Sequence, residues 1–150
     1  IVQGRSTTTF DPTAPITRAK FAVICARFDT GKSEGGQTFT DIQRHWAQDY
    51  IERAAELGWI RGFEDGTFRP DAYITRAQAM TMINRVLNRI PEDADDLRKD
   101  MNVWPDCNPG DWFYLAAQEA TNSHDYKHKA GSCETWIGMN GDPDWSRYEN

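Results

Sequence analysis

The sequence predicts a mostly α-helical protein built from repeated helix–loop–helix units. Three observations indicate this class. Residues 1–28 and 59–86 align at an offset of 58 residues with ten identities in 28 positions, where unrelated segments would share about two. Apolar residues recur at helical spacing in both copies. A threonine suited to capping a helix stands just before each of these apolar stripes.

The identities are concentrated at the entrance of one helix. Both copies read Ile-Thr-Arg-Ala, at residues 16–19 and 74–77, and a Phe and a Pro precede the motif in each. A second relation joins Phe39-Thr40-Asp41 to Trp104-Pro105-Asp106, with Trp46 opposite Trp112. The sequence therefore contains one complete unit flanked by two half-units.

This alignment predicts four segments. Residues 1–30 are the second half of a repeat, and residues 38–90 are a complete repeat. Residues 101–126 are a partial, divergent repeat without a Thr-Arg-Ala motif, and residues 127–150 are a C-terminal tail. The intervening stretches are polar or acidic linkers, and any strands are expected to be very short.

Local signals predict where the helices begin and end. Thr17 and Thr75 are predicted N-caps, and Gln78 completes a capping box with Thr75. Gly58 suits a left-handed C-cap, and Asp65-Gly66 suits a tight turn. The apolar faces expected to be buried are Phe21, Ile24, Cys25 and Phe28 in the first helix, Trp46, Tyr50, Ile51, Ala54, Ala55 and Leu57 in the second, and Ala79, Met82, Ile83, Val86 and Leu87 in the third.

The two outer half-units are complementary in type. The first helix lacks the partner helix of its own unit, and an uncovered apolar stripe is expected to find one. We therefore expect Phe21 and Phe28 to pack against residues 104–123 of the same chain or of a second copy. That packing would bring Arg18 close to Trp112.

Composition excludes several classes of function. The formal net charge is −6 and no Lys/Arg block stands out, which disfavours nucleic-acid binding because that requires a basic face. The sequence has no apolar run long enough to span a membrane. An acidic ligand remains compatible with the chain only at local basic sites.

Three cysteines leave the redox state open. Cys25 lies on an apolar helical face and is interpreted as part of the core. In an exported protein Cys107 and Cys133 can form a disulfide, and the alternative is that all three remain free thiols.

The repeated arginines are the most informative candidates for a binding site. Arg18 and Arg76 each occupy the first helical position, where a cation opposes the helix dipole at a cost of about 0.3–1 kcal/mol. A guanidinium beside free N–H groups at a helix start can bind a carboxylate or phosphate. The alternative is a structural ion pair with an acidic neighbour such as Asp41 or Asp65.

Other candidates are weaker. Trp46 and Trp112 can stack on sugar rings, although a core tryptophan on an amphipathic helix explains them equally well. Asp41 and Asp106 are expected to cap the helices that follow them. His124 and His128, if they share a helix face near Cys133, would offer three zinc ligands without a clear fourth. No sequence motif of a hydrolase is present.

The residues of the complete unit resemble a surface-layer-homology repeat. The resemblance runs from Thr38 through His45-Trp46-Ala47, the Gly62 to Pro70 loop and Ile74-Thr75-Arg76-Ala77-Gln78. It covers residues 1–90 well and 101–123 loosely. It departs from the family at Lys20 and Gln78, where the motif's usual Glu is absent.

The resemblance implies a fold, a ligand and a site. The fold is a pseudo-symmetric helical bundle with prongs, and the ligand is an acidic, often pyruvylated, secondary cell-wall polysaccharide. The motif arginines, Arg18 and Arg76, would meet the acidic sugar. The remaining residues expected in the grooves are Trp46, Trp112, Gly62, Asp65 and Gly66.

The sequence therefore predicts a cell-wall anchoring module rather than an enzyme. Its expected partners are the wall polysaccharide and attached domains of a larger parent protein, with self-association as a further option. The expected location is the bacterial cell surface, and no cofactor, metal, nucleic acid or membrane insertion is expected. The alternatives are a protein–protein assembly platform that has lost sugar binding and, less favoured, an enzyme.

Overall fold

A computed structural model describes residue 8 and residues 10–36, 39–129, 131, 133–141, 144 and 146. The chain divides into two compact units, Ile1–Val86 and Leu87–Asn150. The N-terminal unit contains helices α1 (Arg18–Ala26), α2 (Gln48–Glu56) and α3 (Arg76–Val86). The C-terminal unit contains a short 3-10 helix (Ala94–Asp96), helix α4 (Tyr114–Thr121) and strands β1 (His124–His128) and β2 (Glu134–Met139). The mostly helical class predicted from the sequence is confirmed.

The core of the N-terminal unit forms where α1 packs against α2, with α3 making a smaller contact on α1. Small residues of α1 allow the two helices to approach closely, and larger side chains from α2 and the loops fill the rest. The buried core residues are Ala19, Ala22, Val23, Cys25, Ala26, Phe39, Ile42, Ala47, Ile51, Ala54, Ala55, Ile60, Phe68 and Met82.

The local signals at the helix ends are confirmed. The Thr17 hydroxyl accepts the Lys20 N–H at 3.3 Å. Thr75 and Gln78 form the reciprocal capping box, with bonds of 3.2 and 3.3 Å. Gly58 follows the end of α2 with φ of +72°, and its N–H donates to Ala55 O at 2.9 Å. Each of these bonds spans three residues, which is why sequence pattern predicts them well.

The predicted apolar faces are partly wrong. Helix α1 buries Ala19, Ala22 and Val23 with Cys25, whereas Phe28 is 61% exposed. Ile83 on α3 and Leu87, which follows the helix, also lie at the surface, while Asn84 on α3 is buried. The face of α1 is selected by contact with α2, which fits alanines better than bulky aromatics.

Within one chain the expected pairing of the two outer half-units is wrong for Phe28, and the same pairing between two copies stays a prediction. Phe28 is exposed rather than covered. Phe21 packs against the core of the N-terminal unit. All residues of that core come before Arg85 in the sequence, so none belongs to residues 104–123. The partner that α1 needs is thus supplied by α2 of the complete repeat, within the same unit.

Equivalent segments of the two repeats pair with each other just before their helices. Thr17 and Tyr73 form an isolated antiparallel bridge. The Ile74 N–H donates to Ile16 O at 3.1 Å, and the Arg18 N–H donates to Ala72 O at 2.8 Å. This bridge joins the entrance of α1 to that of α3.

Glu56, at the end of α2, anchors the linker that precedes the complete repeat. Its Oε1 accepts the Ser33 hydroxyl at 2.7 Å and the N–H groups of Glu34 and Gly36 at 3.0 and 3.1 Å. The hydrogen bonds from the Ser33 hydroxyl and the Gly36 N–H are the main causes that lower its pKa from 4.5 to about 2. The charged carboxylate is therefore favoured in the folded state.

We expect Glu56 to make the stability of the N-terminal unit depend on acidity. A carboxyl whose pKa is depressed by folding stabilises the fold above its unfolded pKa and loses that contribution as pH falls through the folded pKa. The free energy of unfolding should therefore fall between about pH 4.5 and pH 2. Urea unfolding at several pH values should show a flatter dependence for Glu56→Gln. The exposed Glu64→Gln variant is the matched control, and an identical flattening there would contradict the assignment.

Helix α4 of the C-terminal unit begins at the same distance from a tryptophan as α2 does in the complete repeat. Helix α2 begins two residues after Trp46, and α4 begins two residues after Trp112. The Trp104 indole N–H donates to the Thr121 hydroxyl at 2.9 Å. The Asn122 side chain accepts the Asn102 N–H at 2.8 Å. These bonds tie the segment before α4 to the helix end.

An antiparallel hairpin follows α4 where the complete repeat has its glycine-rich loop and second helix. Strands β1 and β2 pair from His124 opposite Met139 to His128 opposite Glu134, with an irregularity at Asp125/Tyr126. The helical placement of His124 and His128 considered from the sequence is wrong, because both residues lie on strand β1. Lys129 continues the hairpin and binds Asp96 of the 3-10 helix at 2.7 Å.

Among the described residues, no helix is both long and apolar enough to cross a membrane. All three cysteines are free thiols, with Cys25 and Cys107 buried and Cys133 partly exposed. The disulfide between Cys107 and Cys133 that the sequence permits is not formed in this structure.

Candidate functional site

The loop that joins α2 to α3 shapes the predicted site. Gly62 lies where a Cβ would meet the Phe39 ring and come within 2.7 Å of Thr67 O, so no side chain fits there. Gly66 has φ of +77°, a conformation that glycine adopts without strain. Its N–H donates to Phe63 O at 3.0 Å, and the Phe63 N–H donates to Thr67 O at 2.8 Å. The predicted tight turn is confirmed, and both glycines serve its backbone.

Two aspartates hold this loop in place. Asp65 accepts the Thr67 hydroxyl at 2.6 Å and the Thr67 N–H at 3.0 Å, and it pairs with Arg69 at 3.0 Å. Those bonds, the Thr67 hydroxyl first, lower the pKa of Asp65 to about 2. Asp41 accepts the N–H groups of Phe68 and Arg69 at 2.8 and 2.7 Å. It braces the loop instead of capping the helix that follows it.

Arg18 is buried beneath the loop. The whole residue is only 3% exposed, and the side-chain Nε donates to Phe68 O at 2.7 Å. The guanidinium lies over the rings of Phe68 and Phe63, with 4.5 and 4.8 Å to the centroids. Burial, followed by the charge of Arg69, lowers its pKa. The partners of Arg18 are thus two carbonyls and two aromatic rings, and a ligand cannot reach its guanidinium in this conformation.

Arg76 occupies the equivalent position in the second copy but has the opposite environment. It is exposed, and no hydrogen bond or ion pair holds its guanidinium within the part of the chain that the structure describes. In α1 the first two N–H groups, of Arg18 and Ala19, donate to Ala72 O and Pro70 O at 2.8 and 2.9 Å. The corresponding N–H groups of Arg76 and Ala77 have no acceptor among the described residues.

Arg18, Arg61, Arg69 and Arg85 lie near one another and are termed the arginine cluster; of these, Arg18 and Arg69 lie over the Phe63 ring. The guanidinium of Arg69 lies 3.9 Å from the centroid of the Phe63 ring. Arg18 Nη2 reaches Arg61 O at 3.5 Å. Burial lowers the pKa of Arg85, and the nearby charge of Arg61 lowers it further. Of the four, only Arg69 forms an ion pair with a described residue, so the cluster is a local positive region in an acidic chain.

The two predicted tryptophans lie at the surface. Trp46 is 62% exposed and Trp112 is 68% exposed. Trp46 contacts the ring of His45 at 5.5 Å, and Trp112 meets Phe113 edge-on at 5.4 Å. Because neither side chain is buried in a core, the interpretation of a buried helical tryptophan is wrong. Each of the two indoles has ring surface exposed to solvent.

The structure brings together only part of the predicted set. Gly62, Asp65 and Gly66 share one loop, and Arg18 lies directly beneath it. None of the ring or charge contacts among the described residues joins Arg76 or Trp46 to that loop. Sequence reasoning missed Arg61, Arg69 and Phe63. The available signal was that two arginines flank the glycine-rich loop in an otherwise acidic chain.

One group of side chains among the described residues has the donor types and spacing for a metal ion. It consists of Glu119, His124 and Glu134, whose ligand atoms lie within 4.8 Å of one another. The set of His124, His128 and Cys133 considered from the sequence is wrong, because residues four apart on a strand are separated by roughly 13 Å.

Fold and site together define a repeat module with a positively charged loop region and no hydrolase motif. The family model of the S-layer homology domain matches residues 1–22 and 38–80. Over these residues the chain belongs to the S-layer homology domain family.

Similar proteins share this module as part of much longer chains. Cell surface glycoprotein 1 of Acetivibrio thermocellus is 34% identical over 139 residues, which cover 84% of this chain and 6% of that protein. The cellulosome-anchoring protein of the same organism is 39% identical, with coverage of 79% and 27%. Endo-1,4-beta-xylanase A of Thermoanaerobacterium saccharolyticum is 35% identical, with coverage of 70% and 8%. The chain thus spans about a quarter of these relatives' length or less.

Proposed function

We propose that this chain anchors a larger protein non-covalently to the bacterial cell wall by binding an acidic wall polysaccharide, which includes pyruvylated forms. One observation carries the proposal. Arg76 presents an exposed guanidinium beside two N–H groups that have no acceptor among the described residues. A carboxylate carries two oxygens with the geometry that a guanidinium and adjacent N–H groups recognise.

Comparison of the two repeats supports oxygen as the natural acceptor at this position. The N–H groups at the start of α1 bind two carbonyl oxygens, 2.8 and 2.9 Å away. The same motif at the start of α3 offers the same donors to whatever binds from outside. An anion is favoured there over a neutral carbonyl, because the helix dipole and Arg76 both present positive charge.

The arginine cluster extends the positive region along the loop. Arg61 and Arg69 are exposed, and we assign them the role of attracting the acidic chain of the polysaccharide. In this assignment Arg18, Gly62, Asp65 and Gly66 shape the loop rather than touch the sugar. Trp46 and Trp112 supply exposed faces for stacking on sugar rings.

The cell-surface location expected from the sequence is confirmed by the family and by relatives that are named as surface and anchoring proteins. The enzymes among the relatives share only a small part of their length with this chain. We therefore assign the chain a non-catalytic role, as the wall-binding part of a parent protein whose other domains carry any activity.

A second candidate is a protein–protein assembly platform without sugar binding. The observation that favours it comes from the first repeat, where the carbonyls of residues 70 and 72 accept the first two N–H groups of α1. A segment from another protein or a second copy can offer carbonyls to α3 in the same way. Purified wall sacculi separate the two candidates. Loss of binding after chemical removal of the polysaccharide supports the sugar, and unchanged binding supports a protein partner.

Replacement of Arg76 by alanine tests the site directly. We expect Arg76→Ala to weaken binding to intact sacculi by about 1.5–3 kcal/mol, because a charge-assisted contact is lost. Arg76→Lys should restore only part of the affinity, since its ammonium lacks the planar fork. Arg44→Ala removes another exposed arginine from the same unit and should bind normally. Normal binding by Arg76→Ala, or an equal loss in Arg44→Ala, would rule out the site.

A further inference from the structure

We propose that Glu119, His124 and Glu134 form a zinc site in the C-terminal unit. The three side chains come from the end of α4 and from both strands of the hairpin. Their residues are buried or partly buried, and the side chains of all three are at most 3% exposed. The proposal concerns a part of the chain distinct from the arginine cluster and does not rest on the polysaccharide function.

The donor atoms fit zinc in kind and in spacing. One imidazole nitrogen and two carboxylates are a donor set that Zn²⁺ accepts, with bonds of about 2.0–2.2 Å. In a tetrahedron with such bonds, two ligand atoms are separated by about 3.3 Å. His124 Nε2 lies 3.2 Å from Glu119 Oε2 and 3.4 Å from Glu134 Oε1. Little movement is therefore needed to bring these three atoms around one ion.

The surrounding hydrogen bonds orient the donors as metal ligands are usually oriented. His124 Nδ1 lies 2.8 Å from Asn122 O, a contact that requires a proton on Nδ1, so that in the neutral ring the Nε2 lone pair faces the carboxylates. Glu119 Oε2 accepts the indole N–H of Trp136 at 2.8 Å. The His124 ring also stacks on the Trp136 ring, with centroids 3.8 Å apart.

Arg89 is the cation with which zinc would compete. Its Nη2 lies 2.8 Å from Glu119 Oε1 and 2.7 Å from His124 Nε2, and its Nε lies 2.8 Å from Glu134 Oε2. With His124 neutral and both glutamates ionised, two carboxylates against one guanidinium leave a net negative charge in a buried place, which is costly unless compensated. The Arg89 side chain is 26% exposed and lies over the Tyr126 ring. It can withdraw toward solvent when zinc takes its place.

Zinc would compete with a proton on His124 Nε2 as well as with Arg89. Burial lowers the pKa of His124, but hydrogen bonds with Glu119 and Asn122 O outweigh it and leave the pKa raised. The contact from Arg89 disfavours such a proton, because the guanidinium nitrogen 2.7 Å from Nε2 offers only N–H donors. Zinc binds the neutral imidazole, so it must displace this proton as well as the guanidinium.

Zinc titration of the whole chain tests the proposal. Chelator-treated protein should take one Zn²⁺ per chain in competition with a chromophoric chelator, and its melting temperature should rise with zinc. Glu134→Gln should weaken binding at least about 10-fold through loss of a ligand charge. Arg89→Met should strengthen it by about 10-fold or more through loss of a nearby like charge. His128→Ala, on the same strand but outside the group, should bind as the parent does.

Near-UV circular dichroism reports whether each variant keeps the packed aromatic side chains of the parent, which include the buried Trp136. The proposal fails if the parent protein and a folded Arg89→Met both take up no stoichiometric zinc, in which case the proton is the occupant. It fails equally if His128→Ala loses zinc as strongly as Glu134→Gln, since the ion then lies elsewhere. If Arg89→Met does not fold, the comparison of Glu134→Gln with His128→Ala decides the matter.

Discussion

Replacing Phe68 by alanine is expected to destabilise the N-terminal unit by about 3–5 kcal/mol, the range for removing a buried aromatic side chain. Phe68 is fully buried, and its ring contacts that of Phe39 at a centroid distance of 5.4 Å. The guanidinium of Arg18 also lies over the Phe68 ring, 4.5 Å from its centroid. The substitution therefore leaves a cavity and removes the aromatic surface on which a buried cation rests.

Phe10 is the matched control for this variant. It occupies the equivalent position in the first repeat, but it is 62% exposed. Phe10→Ala should change the free energy of unfolding by no more than about 0.5 kcal/mol. Urea denaturation of both variants measures the difference. Similar losses in the two proteins would contradict the packing described for the loop.

Arg18→Ala is expected to destabilise the same unit by about 2–4 kcal/mol. The variant leaves Phe68 O without its 2.7 Å donor, and a buried acceptor without a partner costs about 1–3 kcal/mol. It also removes the cation from the faces of Phe63 and Phe68, which contributes further when the contact is desolvated.

The same substitution in the second repeat should behave differently. Arg76→Ala is expected to leave the free energy of unfolding unchanged or slightly raised, because an exposed cation is removed from the positive end of α3. Thermal and urea unfolding of the two variants, measured side by side, provide the check. A loss of stability in Arg76→Ala that matches Arg18→Ala would mean that Arg76 is a structural residue.

Much of the local structure could be predicted from residues within a few positions of one another. The capping box of Thr75 and Gln78, the Gly58 C-cap and the turn at Gly66 all depend on hydrogen bonds that close within three or four residues. The repeat also predicted a helix led by Trp112 to match the one led by Trp46, and α4 and α2 each begin two residues after their tryptophan. Side-chain type and spacing are sufficient for such features.

The faces of the helices and the hairpin could not be predicted in this way. The segment 18–28 carries both alanines and large apolar residues, and only contact between α1 and α2 decides that Ala19 and Ala22 are buried while Phe28, just after α1, is exposed. Strand β1 is a polar segment whose buried His124 depends on Glu119 and Arg89. Arg89 also binds Glu134, which lies 45 residues later in the sequence. No local sequence pattern predicts a contact over that distance.

The sequence by itself determined the repeat, the helix entrances and the family. Only the tertiary structure decided what the two identical Thr-Arg-Ala motifs do. At Arg18 the carbonyls of Phe68, Pro70 and Ala72 take up the guanidinium and the first N–H groups, and the arginine becomes part of the fold. At Arg76 no described residue supplies those acceptors, and the same donors face solvent. A motif specifies which groups are presented, but the segment that folds against it determines whether they are satisfied within the protein or remain for a ligand.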